Sequence, residues 1–297
     1  TRTHPRSGAP EEIARMTRRL RLAPFALLTV SAMWGSTFVL MKDAIKRQDV
    51  NSFLFSRFAL AVVVMILLRP QVVKHFSKDL LSKGFFAGCF LGFGYILQTL
   101  GLARTTAAVT GFVTGLYVVA TPLIGAVILH QKIEKRTWGY VAIATLGLGL
   151  LSLHGWSVGT GELLVLGSAI AFAAHIIALE QWSSGRDAYA LTIVQLATCA
   201  LLSGLASLKD GFHTPPDRGV WGVVIFTAIF ATAIAFIVQT WSQAHMASTK
   251  VAVILTMEVV FAAFFAVLFG GETLTLQIAL GGVLVVTAMY FIVLAQA

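Results

Sequence analysis

The sequence predicts an all-α polytopic membrane protein: ten transmembrane helices forming two inverted five-helix repeats, with both termini in the cytoplasm. Three observations carry this. First, 22 Lys and Arg with 13 Asp and Glu make only 12% of the 297 residues charged, and mean hydropathy is +0.84. Soluble domains carry roughly 25% charge, and these residues cannot coat a soluble surface of that kind. Second, the apolar residues gather in runs close to the roughly 20 residues that a spanning helix needs. Third, the chain resembles itself at a shift of 138 to 141 residues. Disorder is excluded by 21 Phe and 6 Trp. A disulfide scaffold is excluded because the two cysteines, Cys89 and Cys199, lie inside apolar runs.

The runs fall at 23–41, 51–68, 84–103, 107–129, 138–153, 162–179, 189–208, 219–243, 251–269 and 276–295. Stretches such as Val251-Ala-Val-Ile-Leu do not alternate, so membrane strands are a poor fit and helices are expected. The basic residues set orientation. One side collects Arg2, Arg6, Arg15, Arg18, Arg19, Arg21, Arg69, Lys74, Lys78, Lys83, Lys132, Lys135, Arg136, Arg186 and Lys250. The other has Lys42, Lys46, Arg47, Arg104, Lys209 and Arg218. The bias of 15 to 6 puts both termini in the cytoplasm, in a multi-pass protein of the inner (plasma) membrane. The net charge of +9 then reads as topology and attraction to anionic lipid, with no nucleic-acid partner. Residues 1–15 read as a loose extension, with Met16-Thr-Arg-Arg a plausible second start of translation.

At a shift of 138, Trp34 falls on Phe172, Arg57 on Gln195 and Glu134 on Glu272. Gln98-Thr99 matches Gln239-Thr240 at a shift of 141. The expected organisation is a basic tail (1–22), a first repeat (23–153), a linker (154–161) and a second repeat (162–296). Five helices per half is odd, so the second half enters the membrane inverted, an architecture common in secondary transporters.

Trp34-Gly-Ser-Thr-Phe, Arg57-Phe, Thr121-Pro, Met257-Glu-Val-Val-Phe-Ala-Ala-Phe and Gly271-Glu-Thr-Leu stand in order along the chain. With these motifs the sequence resembles the EamA-type branch of the drug/metabolite transporter superfamily over roughly 23–296. The resemblance implies a ten-helix transporter with a central cavity, often an exporter of amino acids or related metabolites. It also implies a cavity lined by helices one, three, four, six, eight and nine. The family often has Glu-Pro where this chain has Glu258-Val259, which removes the proline behind a second-half kink.

Charged groups inside a span cost about 2.5–3.5 kcal/mol on insertion scales and are functional candidates by default. Arg57 and Glu258 are two such residues. Arg57 reads either as a clamp for a substrate carboxylate or as a tie to backbone carbonyls or Glu258. Glu258 reads as a partner for a substrate amine, a carrier of a coupling proton or a neutral helix cap. His175 is the other candidate proton carrier. Thr110, Thr114, Tyr117 and Thr121 share one helical face beside Pro122, which removes a backbone donor and permits a kink. They suit a wet cavity wall or interhelical hydrogen bonds. Gly84, Gly88 and Gly92 recur every fourth residue as a close-packing face that continues to Tyr95 and Thr99, beside Gln98. Gln98 and Gln239 read as gates or helix ties. Trp34 lies mid-span, where an interfacial anchor would not sit, and with its mirror Phe172 suits an apolar substrate or the core.

No nucleotide-binding loop, hydrolase elbow or metal-ligand spacing is present in the sequence, so no cofactor or metal is expected. The expected function is secondary transport of a small-molecule substrate, an amino acid first, by alternating access. Drugs, nucleosides or sugars are alternative cargoes. A signalling subunit, or an intramembrane enzyme using His175, Glu180 and Glu258, are alternative functions. A monomer and a homodimer both fit the sequence.

Overall fold

The computed structural model describes residues 9–105, 107–152, 159–269 and 275–294. The first eight residues, linker positions 154–158 and Gly271-Glu-Thr-Leu with Glu272 lie outside the described residues. Among the described residues the ordered elements are all helical. The helices are α1 (Ala9–Arg47), α2 (Val50–Leu68), α3 (Lys78–Leu102), α4 (Ala107–Gly115), α5 (Tyr117–Ile128), α6 (Lys135–Ser152) and α7 (Thr160–Trp182). They continue as α8 (Ala188–Ser207), α9 (Arg218–Ala228), α10 (Ala235–Gln243), α11 (Ser248–Leu255), α12 (Met257–Phe269) and α13 (Leu276–Leu294). A 3-10 turn spans Pro70–His75, and a π-helical turn, Ile229–Ile234, joins α9 to α10.

Six spans are long and apolar enough to cross a membrane: α2, α3, α7, α8, the α9–α10 unit and the α11–α12 unit. A seventh is α1, whose segments Leu22–Thr37 and Leu40–Arg47 meet at 46°. Val113–Ile128 and Leu276–Phe291 are shorter apolar helices. Large side chains such as Phe25, Leu68, Phe86, Leu205 and Phe269 lie exposed on the outside of the bundle. Such a surface suits lipid and not water. The protein is a multi-pass membrane protein.

The polar islands also start the helices. Asp49 accepts from the Ser52 amide, Ser77 from Leu80, Asp187 from Tyr189 and Ala190, and Asp217 from Gly219 and Val220. Each satisfies first-turn donors that have no carbonyl of their own. Ion pairs close the ends: Arg47–Asp217 at one, and Arg69–Asp187 and Arg186–Asp79 at the other.

Two expectations need correction. Of the tail, residues 9–15 are helical and continue into the first span, where a loose extension was expected. The regular helix around Pro122 is interrupted at Leu116, while Pro122 lies inside α5. The second half has a matching one-residue irregularity at Thr256, within the continuous span Ser248–Phe269, with no proline beside it. There the Thr256 hydroxyl donates to the Val253 carbonyl at 2.6 Å. That back-bond competes with the helix ladder and favours a bend.

The packing of the first half is echoed in the second. α1 lies on α12 as α7 lies on α4 and α5, α2 and α3 both pack on α8, and α6 pairs with α13. Gly84, Gly88 and Gly92 make the α3–α8 approach. A Cβ on Gly88 would stand 2.6 Å from the Thr198 Cβ and 2.7 Å from the Gln195 carbonyl oxygen. A Cβ on Gly35 would meet the Glu258 carbonyl oxygen at 2.7 Å, so α1 touches α12 backbone to backbone at Glu258.

Candidate functional site

One central cavity lies beside the irregular turns at Leu116 and Thr256. It is lined by Trp34, Thr37 and Met41 of α1, Arg57 of α2, and Leu91, Tyr95, Gln98, Thr99 and Leu102 of α3. Thr114 and Tyr117 flank the first break, and Leu255 and Glu258 the second. Phe172, His175 and Ile176 come from α7, and Phe236 and Gln239 from α10. The space admits water-sized spheres over about 50 Å3. At roughly 10–15 Å3 for each water, a few waters fit.

Arg57 is 1% exposed, yet it has no acidic partner within ion-pair distance among the described residues. Nε donates to Thr232 Oγ1 at 2.6 Å and Nη2 to the Ala231 carbonyl at 3.1 Å. Nη1 reaches Met41 Sδ at 3.4 Å, a weak acceptor. The guanidinium carbon lies 5.1 Å from the Tyr95 ring centre and 5.6 Å from that of Phe58. Such cation–π contacts hold a charge where water is scarce. The π turn supplies the acceptors. The Ala231 carbonyl also takes the Trp34 indole N–H at 2.9 Å, so one widened turn ties α1 and α2 to the α9–α10 unit. π-helical turns often mark functional sites.

Glu258 is half-buried and makes no side-chain hydrogen bond or ion pair among the described residues. It lines the central cavity and also a small crevice shared with Gly111, Thr114, Gly115, Tyr117 and Val259. His175 is fully buried, with Nε2 2.8 Å from Gln195 Oε1. The Gln195 amide nitrogen donates to the Leu191 carbonyl, so its oxygen is the acceptor and His175 is assigned as the Nε2–H tautomer. Trp34, Tyr95 and His175 surround Phe236 at ring distances of 5.2, 6.1 and 6.2 Å, and Phe172 packs on Tyr95 at 5.4 Å.

Gln98 donates to Thr114 Oγ1 at 3.1 Å and so ties α3 to α4. Gln239 donates to Gln243 Oε1 at 2.9 Å, and Gln243 to the Ile176 carbonyl at 2.6 Å. The buried Gln239 Oε1 has no partner. The sequence-derived candidates Trp34, Arg57, Tyr95, Gln98, Thr114, Tyr117, Phe172, His175, Gln239 and Glu258 therefore line one space. Thr121 does not. It is fully buried away from the cavity with its hydroxyl unpartnered, because the break at Leu116 precedes it and only Thr114 and Tyr117 face inward. Sequence reasoning missed Phe236, although it stands one turn before Gln239. It also missed Ala231 and Thr232, since a π turn leaves no mark on hydrophobic periodicity.

These features place the chain among membrane carriers built of two related helical halves. The EamA-like transporter family model matches it twice, over residues 21–153 and 159–294, and the chain belongs to that family. It is 31% identical to an uncharacterized transporter of Archaeoglobus fulgidus, over 96% of this chain and 88% of that protein. It is 24% identical to the pseudopaline exporter CntI of Pseudomonas aeruginosa, over 90% and 93%. One solved crystal structure superposes with a TM-score of 0.74 at 16% identity, covering 90% of this chain and 94% of that one, which shows the shared fold. The chain is thus a membrane transporter and not a member of an enzyme family.

Proposed function

We propose that the chain is an alternating-access exporter of the inner membrane that moves a small zwitterionic metabolite, an amino acid with an apolar or aromatic side chain first among them. In this reading it crosses the membrane ten times in two inverted halves, with both termini cytoplasmic. The repeated packing, the matching breaks at Leu116 and Thr256 and the double family match support it. A relative named as an exporter supports the direction.

One observation carries the substrate reading. Arg57, with no acidic partner within ion-pair distance among the described residues, and Glu258, with no hydrogen bond among them, border the same aromatic-walled cavity. A substrate carboxylate satisfies the free guanidinium donors, and its ammonium satisfies Glu258 and the orphaned Gln239 oxygen. The apolar body lies against Trp34, Tyr95, Phe172 and Phe236. A buried charge left unpaired costs several kcal/mol, so the site favours a ligand that pairs both ends.

The described cavity is contracted, and a substrate enters when the ring cluster parts and the broken helices swing. Glu258 and His175 are the groups within it that can carry a coupling proton. Counterflow of labelled phenylalanine in proteoliposomes tests the reading, with Glu258→Gln and Trp34→Ala each lowering flux at least tenfold. Unchanged flux in both variants removes these residues from the site. A thermal-shift screen with amino acids, nucleosides, sugars and cationic drugs tests the class, because a ligand of the folded state raises apparent stability. Stabilisation by a sugar or nucleoside alone would sink the zwitterion reading.

A further inference from the structure

A second, roomier cavity lies at the end of the bundle where Arg69–Asp187 and Arg186–Asp79 pair, the end of the basic loops. It admits water-sized spheres over about 360 Å3. Its charged wall comes from both halves: Lys132, Glu134 and Arg136 from the first, Glu180 and Lys250 from the second. Glu134 is engaged by Arg136 at 2.5 Å. Lys132 and Lys250 make no ion pair or hydrogen bond among the described residues; Lys250 is half-buried and feels Glu134 and Arg136 only at longer range. Among the described residues the Glu180 carboxylate receives only the Gln131 amide, at a long 3.5 Å. Two cations and one carboxylate therefore stand without strong partners, which repeats in a wetter setting the Arg57 and Glu258 arrangement of the central cavity. The α11 N-terminus opens into the same space with no side-chain cap, adding positive partial charge.

The two cavities share helices. On α7, Ile176 lines the central one and Glu180 the second, four residues or about 6 Å apart along the axis. On α11, Thr249 and Leu255 are about 9 Å apart in the same sense. The hydrogen bonds from Gln239 to Gln243 and from Gln243 to the Ile176 carbonyl run in the zone between.

We propose that this vestibule is a second substrate site, in which Lys132 and Lys250 take the carboxylate and Glu180 the ammonium of a zwitterion before it passes the Gln243 seal. It rests on the zwitterion reading of the central cavity. A soluble zwitterion is favoured over a lipid phosphate because both halves wall the space and a carboxylate, Glu180, is part of it.

The test is equilibrium binding of labelled phenylalanine to the full chain in nanodiscs of phosphatidylcholine, with and without phosphatidylglycerol. The expected stoichiometry is two per chain in the wild type and one in the Lys132→Gln/Lys250→Gln variant. The Glu258→Gln/Trp34→Ala variant should also bind one, at the other site. The site that each double variant retains reports that it has folded. A single wild-type site untouched by the lysine changes overturns the vestibule and leaves the central site standing. Loss of the second site only when phosphatidylglycerol is present assigns the lysines to lipid headgroups and overturns it as well. No phenylalanine binding in the wild type overturns the amino-acid reading and this inference together.

Discussion

Arg57 shows how one residue can be a structural tie and a binding group together. Its ties to Thr232 and Ala231 hold the guanidinium in place, and with no carboxylate at ion-pair distance among the described residues its charge is available to the cavity. Thr232→Val removes the acceptor for Nε and leaves a buried charged donor short. Hydrogen bonds to charged groups contribute about 1.5–3 kcal/mol, so the thermal midpoint in detergent should fall accordingly and phenylalanine binding should weaken. An unchanged midpoint would mean that Arg57 is held by its ring contacts alone. Charge inside an apolar run made Arg57 and Glu258 legible from the sequence. Phe236 was not legible, because one phenylalanine among 21 has no local mark that sets it apart. Thr121 misled because a shared helical face assumes an unbroken helix, and the break at Leu116 ends that face.

At the scale of elements, the α3–α8 contact depends on the missing side chains of Gly84, Gly88 and Gly92. Gly88→Val drives a branched side chain into the Gln195 backbone, and overpacking of this kind costs about 1–3 kcal/mol. Gly222→Val is the control, since nothing lies within 4 Å of a Cβ there. A midpoint that falls equally for both would show that the close approach is not what stabilises the pair. The break in α11–α12 gives a second test. Thr256→Val keeps the shape and removes the back-bond to Val253, so flux should fall while the protein stays folded, as judged by circular dichroism. Flux at the wild-type level would detach the break from transport. The resemblance pointed away from a kink here because proline is missing. Ser248–Phe269 indeed runs as one span, and the Thr256 amide keeps its bond to the Ala252 carbonyl, so the irregularity there is one residue long.

For the whole molecule, the ends are held by a few capped and paired carboxylates around an apolar middle. Burial pushes the Asp187 carboxyl up, but the Ala190 amide, Arg69 and the Tyr189 amide together hold it below the usual carboxylate range. A depressed folded value means that its contribution is fully present above the unfolded value of about 3.9 and is lost as pH falls through the folded one. Asp187→Ala should therefore lower stability by about 1 kcal/mol at neutral pH. The gap to wild type should narrow below about pH 4. A gap of constant size across pH 3 to 7 would show that the charge contributes nothing.

The sequence by itself determined the class of this protein. Apolar runs with so few charges have one workable solvent, and a backbone in lipid must bond within its own helix. It also determined which polar residues stand inside the spans, because the cost of burying them makes each conspicuous. Only the tertiary structure decided what those residues face. The cavity draws its lining from helices of both halves, and only their packing brings those side chains around one space. The vestibule was beyond sequence reading for a related reason. Lys132, Glu180 and Lys250 come from separate connections and helix ends, and only the packing of one half on the other brings them around one space.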